Sequence, residues 1–149
     1  MLEAIEKMRK AQKELNDAMS AMTPIIERYN NIFRGKLTDL TMLPMLYEWY
    51  QGMAIRQGFS SDARNNNHKQ FVYVILMLYS PASLFGGKIR RELRTEIASL
   101  LRLKSPTILY HMRDRSVVWM RTYKTFASEV NIAYEGITAL LKENGLIQP

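Results

Sequence analysis

Cysteine is absent from the 149 residues, and histidine occurs only twice, as His68 and His111. The first absence excludes disulfides and thiolate metal sites and is compatible with a reducing cytosol. The second leaves any zinc site dependent on carboxylates, and none cluster beside the two imidazoles. No metal or other cofactor is expected. No apolar run approaches the roughly 18 residues that a membrane span requires; the longest, residues 71–79, follows the polar residues 65–70 and ends at Ser80-Pro81. The amino terminus lacks the basic-then-apolar layout of a secretory signal, so a cytoplasmic protein without a membrane partner is expected. A phosphate-binding loop at Gly86-Gly87-Lys88 is excluded, because Ala82 stands where the Walker pattern needs another glycine and Ile89 where it needs Ser or Thr. The acids are dispersed among bases and no serine or threonine has a nucleophile-elbow context, which points away from an enzyme. Strand-like alternation, internal repeats and low-complexity tracts are nearly absent.

What is present is helix and positive charge. A chain of this length with 47% hydrophobic residues can fill one core but not two large ones. The net charge of +7 is unevenly placed: residues 1–59 carry +1, residues 116–149 balance, and residues 60–115 hold ten bases against four acids. Such a segment draws a polyanion and releases its counterions on contact.

Apolar residues from Leu2 to Phe33 recur at spacings of three and four, one helical face, diluted by Arg9 and Gln12. Thr23-Pro24 interrupts the run and predicts either a kink or two helices with Thr23 capping the second. This arm reads equally as a coiled-coil segment for self-association or as a helix packed on its own domain. A helix with Leu46, Trp49, Tyr50 and Met53 on one face follows, with Trp49 expected in the core, and a break near residues 57–61 divides an amino-terminal helical arm or oligomerisation region (1–59) from a carboxy-terminal domain (60–149). In that domain Ser61-Asp62 is placed to cap a helix whose first turns, with Arg64, Lys69 and His68, are polar and whose later turns are apolar all round, the mark of a central buried helix. A basic amphipathic helix from Ile89 carries Arg90, Arg91 and Arg94 outside. Residues 116–141 read as one long helix.

Between these lies residues 97–112, IASLLRLKSPTILYHM, read as a helix-turn-helix. Ile97, Ala98, Leu101, Leu103, Ile108 and Met112 are placed to bury between two crossing helices, and Ser105-Pro106 predicts a serine-capped helix start. With Ile108 and Met112 inward, Thr107, Tyr110, His111 and Arg113 are available to base edges. Arg102, Lys104 and the helix dipole suit phosphates, and Ser105 and Arg115 together with Arg64, Lys69, Arg90, Arg91 and Arg94 complete the expected DNA-binding set.

The pattern Ile97-Ala98, Leu100-Leu101, Leu103, Thr107-Ile108, His111-Met112 resembles the helix-turn-helix of response regulators, which often reads I-A-x-L-L-G-x-S-x-x-T-V-x-x-H-L. The wider basic block from Arg64 to Arg115 is similar to the DNA-binding domain that ends bacterial replication initiators. Each resemblance covers about a third of the chain. Two departures stand out: Arg102 occupies the turn position where glycine is usual, which either raises the cost of a left-handed backbone there by about 1 kcal/mol or gives a different turn, and residues 81–88 form a longer connection than a compact initiator-like domain needs. The expected fold is an all-α helical bundle with a helix-turn-helix and a long amino-terminal helical arm. The expected function is that of a non-enzymatic double-stranded DNA-binding protein, a homo-oligomer serving regulation, packaging or replication. The small size and arm suit a phage or mobile element, and the alternative is a structural or adaptor protein that contacts phage or host proteins.

Overall fold

The computed structural model describes residues 1–59 and 64–149, without the side chains of 26, 27, 29–33 and 64–66. Among the described residues there are six α-helices and no strand: α1 (Leu2–Phe33), α2 (Leu43–Gln57), α3 (Arg64–Tyr79), α4 (Arg91–Leu100), α5 (Pro106–Thr122) and α6 (Lys124–Glu143), with 3-10 turns at Leu40–Met42 and Pro81–Phe85. The all-α expectation holds. The chain forms two compact units, Met1–Arg34 and Gly35–Pro149.

The first unit is α1 alone. Pro24 lies inside it without ending it, and the Thr23 hydroxyl donates to the Met19 carbonyl at 3.1 Å instead of capping a second helix. Proline forfeits the bond to the Ser20 carbonyl, and the remaining ladder carries the helix through.

The second unit is built around α3. Phe71, Val72, Val74, Ile75, Leu76 and Leu78 have no exposed surface, so every side of its later turns needs a cover. Helices α5 and α6 and the Pro81–Phe85 turn provide it. The Ser61-Asp62 cap expected for α3 lies outside the described residues.

Helix α2 buries Leu43, Leu46, Tyr50 and Met53 and packs on α6 and α4. The boundary expected at residue 59 therefore moves to Arg34/Gly35, because this stripe is too apolar to leave the core. Trp49 is half-buried at the edge of that core. Gly35 seats the incoming chain on the end of α3, where a Cβ would collide with the Tyr79 carbonyl. Beyond it, the Leu37 amide donates to the Leu78 carbonyl at 3.0 Å and the Tyr79 hydroxyl donates to the Asp39 carbonyl at 2.7 Å. The loop thus satisfies one carbonyl that the end of α3 leaves open, and α3 in turn satisfies one of the loop.

Residues 116–141 are not one helix. Tyr123 is extended (φ −115°, ψ 109°) between α5 and α6, and Trp119 packs edge-on against Tyr123 and Phe126 at 5.7 and 5.5 Å.

Candidate nucleic-acid interface

Helix α4 turns Leu93, Ile97 and Ala98 inward. At its end the Leu103 amide donates to the Ala98 carbonyl at 2.9 Å and the Arg102 amide to the Ser99 carbonyl at 3.2 Å. This is a Schellman closure, whose residue after the cap takes a left-handed backbone. That residue is Arg102, at φ +55°. Helices α2 and α6 close by the same pair of bonds, through Phe59 and Gly58, and through Leu146 and Gly145, and both place glycine there, at φ +64° and +67°. The turn is thus the usual one with an unusual occupant: of the two readings of Arg102, the left-handed backbone under strain holds and the different turn does not. A left-handed L-residue costs about 1–2 kcal/mol, and no contact offsets it: the Arg102 side chain is exposed and makes no hydrogen bond or ion pair among the described residues.

Helix α5 starts from an extended Ser105 with Pro106 in its first turn. The serine side chain makes no capping bond; its carbonyl accepts from the Ile108 amide at 3.2 Å. The buried stripe of α5 is Leu109, Met112, Arg113 and Ser116: Met112 is buried as expected, Ile108 packs half-buried against the core, and Arg113, expected outside, lies inside. The outer stripe is consequently Thr107, His111, Arg115 and Val118, all exposed.

Two expected base-contacting residues lie elsewhere. Arg113 is 9% exposed; its Nη1 donates to the Ser83 and Gly87 carbonyls at 3.1 and 2.8 Å, and its Nε pairs with Asp114 at 2.9 Å. It fastens the long 81–88 connection to α5. Tyr110 lies with its ring 5.0 Å from the Arg113 guanidinium, and its hydroxyl accepts from the Ile89 amide and Arg94 Nη1, both at 3.3 Å. Arg94 is thereby half-buried and engaged. Lys69 is also withdrawn from the surface: it is buried, with its ammonium 4.3 Å from the Trp119 ring. Desolvation, helped by the charge of Arg115, lowers its pKa. The side chain of Arg64 lies outside the described residues.

The remaining exposed cations occupy three places along the α4–α5 pair. Arg90 and Arg91, joined by Lys88, which the sequence reading passed over, lead into α4; Arg102 and Lys104 occupy the turn; Arg115 lies on the outer stripe of α5. Lys88 was legible, since it brackets the buried Ile89 together with Arg90. Among the described residues none of them is ion-paired. The amino-terminal dipole of α5 adds partial positive charge at Thr107.

A second concavity, a cleft of about 460 Å³, opens between α2 and the start of α3, where Tyr47, Tyr50, Gln51, Phe59, Asn67 and His68 line it. Tyr47 Oη lies 3.3 Å from His68 Nε2, and Asn67 Oδ1 is buried without a hydrogen-bond partner among the described residues. No described carboxylate lines the cleft. Among the described residues no group of three His, Asp or Glu side chains could hold a metal ion, and no helix is long and apolar enough to cross a membrane. No protein-family model matches the sequence, and comparison with curated proteins and with solved structures likewise gave no match.

Proposed function

We propose that this chain binds double-stranded DNA, without catalysing a reaction on it, by setting α5 into the major groove. The observation that carries the reading is Arg102. Among the described residues, of three helices that end in one backbone motif two use glycine, and α4 uses a strained, exposed arginine with no described hydrogen-bond or ion-pair partner. Strain of this kind collects where function needs a particular side chain. The exposed Lys104, Arg90, Arg91 and Arg115 along the α4–α5 pair are likewise free of ion pairs among the described residues, which suits phosphates. Thr107 and His111, one turn apart near the start of α5, are the side chains for base edges. Tyr110, Arg113, Arg94 and Lys69 act behind this surface and hold it in shape.

A salt-titrated binding assay on duplex DNA tests the reading. Wild type binds at low salt, with log K falling linearly with log salt. Arg102→Ala with Lys104→Ala lowers affinity and flattens the slope by about 0.9 per lost phosphate contact. Absence of binding at low salt, or an unchanged slope in a folded double variant, refutes it.

A further inference from the structure

Helix α1 carries a surface that the DNA reading leaves unused. Ile5, Met8, Gln12, Leu15, Met19 and Met22 follow one another at alternating steps of three and four, the repeat of about 3.5 residues that keeps one seam facing a partner as two helices supercoil. The five apolar members are 44% to 72% exposed. Ala4, Ala11 and Ala18 each precede a seam residue by one position, so they flank the seam with small side chains that let a second backbone approach.

Charge says what covers it. The helix holds five bases (Lys7, Arg9, Lys10, Lys13, Arg28) and five acids (Glu3, Glu6, Glu14, Asp17, Glu27), so a second copy meets no net repulsion and a polyanion meets no net attraction. Most of these charges stand off the seam at helical i, i+4 spacing, Glu3 with Lys7, Glu6 with Lys10, Lys13 with Asp17. Arg9, the charge at a flank, falls opposite Ala4 of a second copy in a parallel pair. Pro24 falls at the outermost position of the same repeat, with Lys10 and Asp17, so its lost hydrogen bond faces away from the seam.

Gln12 fixes the orientation. Its Nε2 donates to Asn16 Oδ1 at 3.1 Å along the helix, which leaves its carbonyl oxygen and one N–H for another group. In a parallel, in-register pair the two Gln12 amides meet and complete one another; in an antiparallel pair each faces methionine or leucine and stays unpaired. A single polar residue at such a position specifies register. Covering Leu2, Ile5, Met8, Leu15, Met19, Met22 and Ile25 in both copies withdraws on the order of 800–1,700 Å² from water, which reaches the ~1,200–2,000 Å² of specific protein interfaces.

We propose that the chain forms a parallel, in-register homodimer through a coiled coil of α1, with Gln12 facing Gln12. The full-length protein tests it by sedimentation velocity up to about 200 μM, a range that detects affinities near −5 kcal/mol or tighter. Wild type sediments as a dimer, and Leu15→Glu with Met19→Glu sediments as a monomer with the near-ultraviolet circular dichroism of the folded second unit retained. A monomeric wild type, or a double variant that stays dimeric, overturns the association. Because the chain has no cysteine, single thiols report the register. Gln12→Cys oxidises to a covalent dimer, since seam Cα atoms come within the roughly 4.4–6.8 Å of a disulfide, and Asp17→Cys on the outer face does not. Equal cross-linking of the two, or cross-linking of neither, overturns the register.

Discussion

Replacing Arg102 with glycine separates the two roles this position combines, backbone and charge. At φ +55° the arginine bears a left-handed penalty of about 1–2 kcal/mol. Its exposed side chain has no hydrogen bond or ion pair among the described residues to lose. Glycine removes that penalty but widens the unfolded ensemble by about 0.4–1 kcal/mol, leaving a net stabilisation of about 0.5–1 kcal/mol and a rise in Tm of about 2–5 °C for a unit of this size. Alanine is the control, because it keeps the strain and removes the guanidinium; its stability stays within about 0.5 kcal/mol of wild type. On the proposed DNA reading both variants lose the same phosphate contact, so DNA affinity is expected to fall in each and the salt slope to flatten by about 0.9. Calorimetry and salt-titrated fluorescence anisotropy on the three proteins read both quantities. A glycine variant no more stable than the alanine variant refutes the strain argument, and DNA binding unchanged in both refutes the functional one.

Arg113→Ala removes guanidinium bonds to the Ser83 carbonyl, which keeps the Gly86 amide at 3.4 Å, and to the half-buried Gly87 carbonyl, which loses its donor, at about 1–3 kcal/mol for a group left unsatisfied; chemical denaturation should show a loss of about 1–3 kcal/mol on that scale, and any fall in DNA binding should disappear under conditions that keep the variant folded. Gly35→Ala, whose Cβ meets the Tyr79 carbonyl, is expected to lower Tm by several degrees, since overpacking costs about 1–3 kcal/mol; an unchanged Tm means the loop has moved without penalty. Burial pushes the Tyr50 and Tyr79 phenols up from their ordinary range. Their folded pKa values exceed the unfolded value, so their contribution is complete below pH about 10 and is lost as pH rises above it; urea midpoints measured from pH 8 to 11 should fall at the alkaline end, and less steeply in Tyr79→Phe.

Periodicity and hydropathy made the helices legible, including α3 as the central one, because an all-round apolar helix has no alternative to burial. They failed where two segments share one phase. Leu109, Met112, Ser116, Trp119, Tyr123, Phe126 and Val130 keep three-four spacing across the break, so nothing in the pattern marks Tyr123 as extended; the aromatic packing of Trp119 on both sides of it does. The inward place of Arg113 on α5 was missed because a core arginine contradicts hydropathy. Arg113 is inside on account of two carbonyls of the 81–88 connection, and no local pattern says where those carbonyls will fall. That one inward residue displaced Tyr110 and Arg113 from the expected base-reading set and brought Arg115 forward beside Thr107 and His111. Arg102, by contrast, was conspicuous in the sequence as the wrong residue for a turn. Its meaning needed the backbone: only φ distinguishes a changed turn from an unchanged turn under strain.

The DNA reading and the coiled coil make a joint prediction that neither makes alone. If each copy of Gly35–Pro149 neutralises about four phosphates with Arg90, Arg91, Arg102, Lys104 and Arg115, one copy gives a salt slope near −4 and a tethered pair gives about −7. Pairing through α1 turns the second contact into an intramolecular event at an effective concentration that reaches about millimolar for short tethers. The Leu15→Glu, Met19→Glu variant keeps every one of these cations. It should therefore bind duplex DNA with the shallower slope and with an affinity about 10²-fold or more below wild type, and raising its concentration should not restore the steep slope. A variant that is monomeric in solution yet retains the wild-type slope would show that DNA assembles the pair by itself, and that pairing through α1 does not set the DNA affinity.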